Sequence, residues 1–282
     1  WESLKCPRTL GEKNRNRSIQ EAYETLLLDR PQEYLLQVTI NRPDRRNAMN
    51  TQVGRDLLDL FTSLLLDPAD HRAVILTGAG EQAFCAGGDL KERDGMTDET
   101  WRLQHAIFEQ AVYNVIDCPV PVIAAVNGSA FGGGCEIALA ADFIYASSNA
   151  KFAVPEITLG IIPGCGGTQN LPRAAGSRRA KEILFTGSPF TAQEGLEWGI
   201  VNKVVEQAEL LPETLKVAAR MAGNGPLALR QAKRSVNLGM GTDLNTALGI
   251  EVEAYNRLVP TEDRREGVLA FNEKRKARFK GR

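Results

Sequence analysis

The run GGGCE at 132–136 sets a carboxylate, Glu136, inside a segment (Ala124–Ala141) that otherwise reads as buried backbone. Three consecutive glycines before it remove every side chain that would keep a ligand from the main-chain N–H groups. If a helix starts at Gly133, its N–H lies in the first turn, where donors are unsatisfied and the helix dipole is positive. Glu136 follows three residues on, about one turn away on nearly the same face. One segment can then offer a donor to a carbonyl oxygen and an acid to a neighbouring atom. The competing reading has the glycines serve strand–helix packing, with Glu136 turned to solvent. The flanks Ile137, Ala138, Leu139, Ala140 and Ala141 leave little polar surface for that. The pattern points to an enzyme working at a carbonyl.

Composition narrows the chemistry. A chain of 282 residues, 43% hydrophobic and 24% charged, is an ordinary globular composition with one large core or two modest ones. A net charge of −1 gives no global field to attract nucleic acid or anionic membrane. The apolar stretch from Val120 to Tyr145 is broken by Asn127, Glu136, Asp142 and four glycines, so it does not read as a membrane span. Five scattered cysteines without a CxxC pair fit free thiols in a reducing compartment: the cytoplasm, or the mitochondrial matrix of a eukaryote. With only His71 and His105, a His-rich metal site is excluded, and a His-based triad would have to use one of the two. Acid–base work therefore falls to carboxylates.

Along the chain, residues 1–29 read as an N-terminal extension. They are polar and basic at first, without the apolar core of a signal peptide, and Glu2, Glu12 and Glu21 argue against a mitochondrial-type presequence. Residues 30–205 read as an α/β core. Strands are expected at Tyr34–Ile40, Ala73–Thr77, Val120–Val126 and Phe143–Ala146. Helices are expected near 50–66, after a Thr97 cap, and from the glycines before Glu136. Residues 206–282 read as helical, near 208–223, 226–238, 243–258 and 262–274, and TAQE at 191–194 is a capping box. This last part either folds back or mediates oligomerisation.

Two further segments carry chemistry. In FCAGGDL at 84–90, small residues at Ala86, Gly87 and Gly88 expose backbone N–H groups between a strand and a helical turn, a geometry for an anion or a developing oxyanion. In VPEITLGIIPGCGGTQ at 154–169, Pro155 fixes the backbone before Glu156. Gly164, Gly166 and Gly167 make a second small-residue helix start, able to position a water through a main-chain N–H. The segment lacks the lysine and hydroxyl of a phosphate loop and the spacing of a dinucleotide fingerprint.

Taken together, FCAGGDLKER, VNGSAFGGGCEIALAADF and KFAVPEITLGIIPGCGGTQNLPR resemble the crotonase superfamily, and within it the enoyl-CoA hydratases. The likeness continues through AKEILFTG at 180–187 and FNEKRKARFKG at 271–281 and spans about residue 30 to the end. The resemblance implies a crotonase (ClpP/crotonase-like) α/β spiral of ββα units with a helical C-terminal oligomerisation region. It implies water addition across the 2,3 double bond of a 2-enoyl-CoA thioester, with no cofactor, coenzyme A being part of the substrate.

By the same resemblance the thioester oxygen lies between the N–H groups of Gly88 and Gly133, and Glu136 and Glu156 act on water. We assign Glu136 to the water and Glu156 to proton exchange at C2, with Gly164 orienting the water. The converse assignment of the coupled pair stays open. Losing one donor of such a hole costs about 3–4 kcal/mol of barrier. Coenzyme A contacts carry over to Ala48, Ala86, Gly87, Asp89 and Leu90, and from a neighbouring subunit to Phe271 and Lys274 in a homotrimer or a hexamer of paired trimers. Keeping both glutamates favours hydration over the alternative, a Δ3,Δ2-enoyl-CoA isomerase. The second alternatives are a methylglutaconyl-CoA hydratase-like enzyme, whose wording LKER and VPTEDRREGVLAFNEKR is shared, and a non-catalytic acyl-CoA binder. Some such hydratases bind RNA through a lysine-studded helix; TQVGRDLLDLFTSLLLD at 51–67 has only Arg55, so no nucleic-acid binding is expected.

Overall fold

The computed structural model describes residues 23–282. The presequence question and Cys6 lie outside them.

Two sheets organise the chain. The larger has six strands, β1 (Leu26–Asp29), β2 (Leu35–Ile40), β3 (Ala73–Gly78), β5 (Val122–Val126), β7 (Phe143–Ser147) and β10 (Lys203–Val205), hydrogen-bonded in that order. The smaller has β4 (Ala83–Cys85), β6 (Ser129–Phe131), β8 (Lys151–Ala153) and β9 (Phe190–Thr191). β1 and β2 pair antiparallel, with Leu26 opposite Ile40, and β2, β3, β5, β7 and β10 run parallel.

The helices are α1 (Thr51–Leu66), α2 (Leu90–Arg93), α3 (Asp98–Asp117), α4 (Gly133–Ala140), α5 (Gly167–Thr186), α6 (Ala192–Glu197), α7 (Leu210–Ala222), α8 (Pro226–Gly239), α9 (Leu244–Leu258) and α10 (Glu262–Asn272). The order β3–β4–α2–α3, β5–β6–α4, β7–β8–α5 repeats one device. Each turn gives one strand to each sheet and then a helix, which is a spiral of ββα units.

The larger sheet is buried on both faces, as a parallel sheet covered by helices must be. Leu36, Val38, Val74, Leu76, Val122 and Ala124 join Phe61, Val112 and Ile137 in one core. The alternate residues Leu35, Ile75, Ile123 and Ala125 pack with Leu210, Ala218 and Ala222 of α7. This double burial is why AVILT and VIAAV read as unbroken apolar runs.

β1 lies in the part read as extension. Leu26 and Leu28 are buried, and Thr25 bonds to Asp56 on α1 through its N–H and hydroxyl, at 2.8 and 2.7 Å. Four residues are too short for a period to declare itself. Beyond β10 the chain is helical as expected. α8 is tied to the core by Lys233, whose ammonium meets Asp142 at 2.9 Å. No helix among the described residues is long and apolar enough to cross a membrane.

Candidate active site

Glu136 stands in the first turn of α4, separated from the glycines only by Cys135. Gly132 holds the positive-φ turn that starts the helix, at φ 52°, and its N–H donates to the Ala153 carbonyl at 2.8 Å, joining this turn to β8. Glu136 is 2% exposed. Its Oε1 accepts the N–H groups of Cys165 (2.7 Å) and Gly167 (2.8 Å), and its Oε2 bonds to nothing among the described residues. Burial pushes the Glu136 carboxyl up to about 7, with nearby Glu156 adding to the rise and the N–H groups of Gly167, Cys165 and Gly164 opposing it.

Glu156 lies in the short 3-10 helix Pro155–Leu159 that follows β8. A Cβ on Gly132 would fall 2.9 Å from Glu156 Oε1, so the glycine preceding α4 makes room for the second acid. Glu156 Oε2 is buried without a hydrogen-bond partner. Burial raises this carboxyl as well, opposed by its own main-chain N–H and by the Arg93 charge. A buried and a half-buried carboxylate thus lie near each other, each with an oxygen that no described residue hydrogen-bonds.

The glycine donors sit beside them. The loop at 46–49 zips onto 86–89: Ala86 N–H donates to Arg46, Met49 N–H to Gly87 and Asp89 N–H to Met49, at 2.8–3.0 Å. This register uses the groups on either side of Gly88 and leaves the Gly88 N–H without an acceptor among the described residues. The Gly133 N–H, in the first turn of α4, is likewise unmatched. A Cβ on Gly133 would run into the Met49 methyl group, and one on Gly134 into the Cys85 carbonyl.

Gly164 has the His105 ring where a Cβ would be. Ala48, Ala86, Gly87, Asp89 and Leu90 come together through the same zipped loops. Asp89 is engaged within the protein: it caps α2 and pairs with Arg42 at 3.0 Å, while Arg42 also donates to the Ala48 carbonyl. Phe271, 83% exposed near the end of α10, presents its ring to solvent, and neither it nor Lys274 bonds to the glutamate cluster.

The residue sequence reasoning missed is Arg93. It projects from α2 toward Gly88 and across Trp101 and Phe108 of α3, with its guanidinium carbon 4.3 and 5.5 Å from the two ring centroids. Its partners converge from three elements, so nothing in LKER signals it. Among the described residues no group of three or more His, Cys, Asp or Glu is placed to hold a metal ion.

Residues 30–282 match the family model described as enoyl-CoA hydratase/isomerase. The chain is 44% identical over 259 residues to a crotonyl-CoA hydratase of Syntrophomonas wolfei, covering 92% of this chain and 98% of the relative. It is 44% identical over 247 residues to a short-chain-enoyl-CoA hydratase of Clostridium acetobutylicum, covering 87% and 94%. A crystal structure of an enoyl-CoA hydratase from Bacillus anthracis superposes with a TM-score of 0.90 at 42% identity, covering 92% of this chain and all of that one.

Proposed function

From the premise that this chain belongs to the enoyl-CoA hydratase/isomerase family, we propose that it adds water across the 2,3 double bond of a 2-enoyl-CoA thioester to give the 3-hydroxyacyl-CoA. The observation that carries this reading is the pair of acids, buried Glu136 and half-buried Glu156, each with an unbonded oxygen, beside the unmatched N–H groups of Gly88 and Gly133.

The step follows from those groups. The thioester oxygen accepts from Gly88 and Gly133, which draws electrons from C3 through the conjugated system. Water attacks C3, Glu136 takes its proton, and the negative charge gathers on the thioester oxygen as an enolate held by the two donors. Collapse of the enolate takes a proton at C2 from Glu156, and transfer of one proton between the carboxylates restores the pair. Glu136 is assigned to the water because Oε1 is filled by Cys165 and Gly167 while Oε2 is unbonded, with the Gly164 N–H close to the same carboxylate. The pair works with one proton between it, and two raised carboxyls in unequal surroundings favour that state.

Coenzyme A would lie along Ala48, Ala86, Gly87 and Leu90, with Asp89 setting the loop. Phe271 and Lys274 would reach the nucleotide of a neighbouring subunit in a trimer or a pair of trimers. The exposed apolar side chains of Leu244, Val252, Tyr255 and Phe271 on α9 and α10 suit such an interface.

The test presents crotonyl-CoA and a 3-enoyl-CoA separately and follows the conjugated thioester absorbance. Hydration removes the absorbance of the first. Formation of conjugated product from the second, with no loss from the first, would assign isomerisation instead.

A further inference from the structure

Gly88 has to be held without being touched. It has no side chain to pack, and its N–H must stay open for the thioester oxygen, so its neighbours fix its place. They do so through the segment at 46–49. Met49 N–H donates to the Gly87 carbonyl and Asp89 N–H to the Met49 carbonyl, each at 2.8 Å, with Met49 and Gly88 side by side in a parallel bridge. That segment belongs to neither sheet, so it has to be fixed in turn.

Arg42 is placed to fix it. One terminal nitrogen donates to the Ala48 carbonyl and the other to Asp89 Oδ2 at 3.0 Å. A single planar group thus clasps the residue before Met49 and the residue after Gly88. Asp89 Oδ1 accepts from Lys91 N–H at 3.2 Å, which sets the carboxylate at the start of α2. The main chain of the arginine is tied as well. Its N–H donates to Asn47 Oδ1 at 3.0 Å, and Asn47, wholly buried, donates to the Ala79 and Ala83 carbonyls at 2.9 and 2.7 Å. The clasp is thereby anchored just past β3 and at the start of β4.

The two charged side chains are only 18% and 11% exposed. Taking opposite charges out of water offsets most of their attraction, so such a pair adds little stability over apolar groups filling the same space. What the rigid fork of an arginine does supply is geometry.

We propose that Arg42 is a positioning residue of the oxyanion hole: by clasping Ala48 and Asp89 it holds the Gly88 N–H where the thioester oxygen must meet it. This deepens the hydratase reading and rests on it.

The test uses the wild type, Arg42→Lys, Arg42→Gln and Asp89→Asn, with two readouts. The first is hydration of crotonyl-CoA, resolved into kcat and KM. The second is the absorption band of bound 4-(dimethylamino)cinnamoyl-CoA, which moves to the red as donors polarise its thioester carbonyl and needs no turnover. Arg42→Gln and Asp89→Asn should each lose about 10- to 100-fold in kcat, up to the loss for a misplacement of about 1 Å, with KM little changed and a smaller red shift. Arg42→Lys keeps the charge but not the fork and should fall between these and the wild type. A raised KM with unchanged kcat would make Arg42 a coenzyme A contact. A lower melting temperature with kcat and the band unchanged would make its role structural alone. Either result, or a wild-type band that does not move, overturns the proposal. If the wild type hydrates nothing but shifts the band, and Arg42→Gln weakens that shift, the hydratase reading fails and the positioning role stands.

Discussion

The backbone N–H of Gly167 donates to Glu136 Oε1 at 2.8 Å, so the first residue of α5 holds the acid that α4 presents. The same residue must also be small. A Cβ there would lie 2.9 Å from Pro163 Cβ and 3.0 Å from Glu136 Oε1. Gly167→Ala should displace the carboxylate while leaving its chemistry intact. The prediction is a loss of roughly 100-fold in kcat, as expected for a small misplacement of a reacting group, with a cost of about 1–3 kcal/mol in stability. Steady-state hydration and denaturant melts check the two parts. Full activity would show that the acid does not depend on this contact.

Removing either carboxylate without changing its shape should cost about 10²- to 10⁴-fold in kcat, the range of general acid–base assistance. Glu136→Gln and Glu156→Gln should each show this, and the double variant should lose little more, because the two act as one unit. Hydration surviving in both single variants would sink the mechanism.

Stability should carry a pH signature of Glu136. Burial raises its carboxyl from 4.5 to about 7, so between these values the folded protein keeps a proton that the unfolded chain has released. Stability therefore falls as pH rises through this window, by on the order of 3 kcal/mol in all, and the loss is complete above pH 7. Glu156, raised in the same direction, adds to the trend. Glu136→Gln never acquires the charge, so its melting temperature should exceed that of the wild type by more at pH 8 than at pH 5. A pH-independent difference would mean that Glu136 titrates normally.

The adjacent glycines of α4 should fail in different ways. A Cβ on Gly133 meets only the flexible end of Met49, so Gly133→Ala should fold and lose activity as the hole is disturbed, by roughly 10²- to 10³-fold. A Cβ on Gly134 meets the Cys85 main chain, which cannot swing aside, so Gly134→Ala should lose about 2 kcal/mol or more of stability. Thermal melts and hydration rates on both variants separate the two. Equal stability in both would refute the distinction.

What the sequence made legible depended on how far apart the cooperating atoms lie along the chain. The Thr97 cap, accepting from Thr100 N–H at 3.2 Å, and the reciprocal Thr191–Glu194 box are short-range, and both stand as read. The helix beginning at Gly133 and the long buried strands were equally plain. The smaller sheet escaped because its strands have only two or three residues, too few to show a period. β1 escaped for a similar reason. Arg93 escaped because Gly88, Trp101 and Gln104 meet around it only in the fold. The tie from Glu136 to Cys165 and Gly167 spans about thirty residues and is made by main-chain atoms, which no residue code reports.

That the proposed oxyanion donors are peptide groups has a consequence for descent. Every residue except proline carries an N–H, so no substitution other than proline deletes the donor at 88 or 133 in the way a substitution deletes a carboxylate. Mutation can alter only the space around these donors and the course of the backbone through them. A lineage built on this frame can exchange the side chains that sort one acyl group from another while the activation of the thioester is inherited intact.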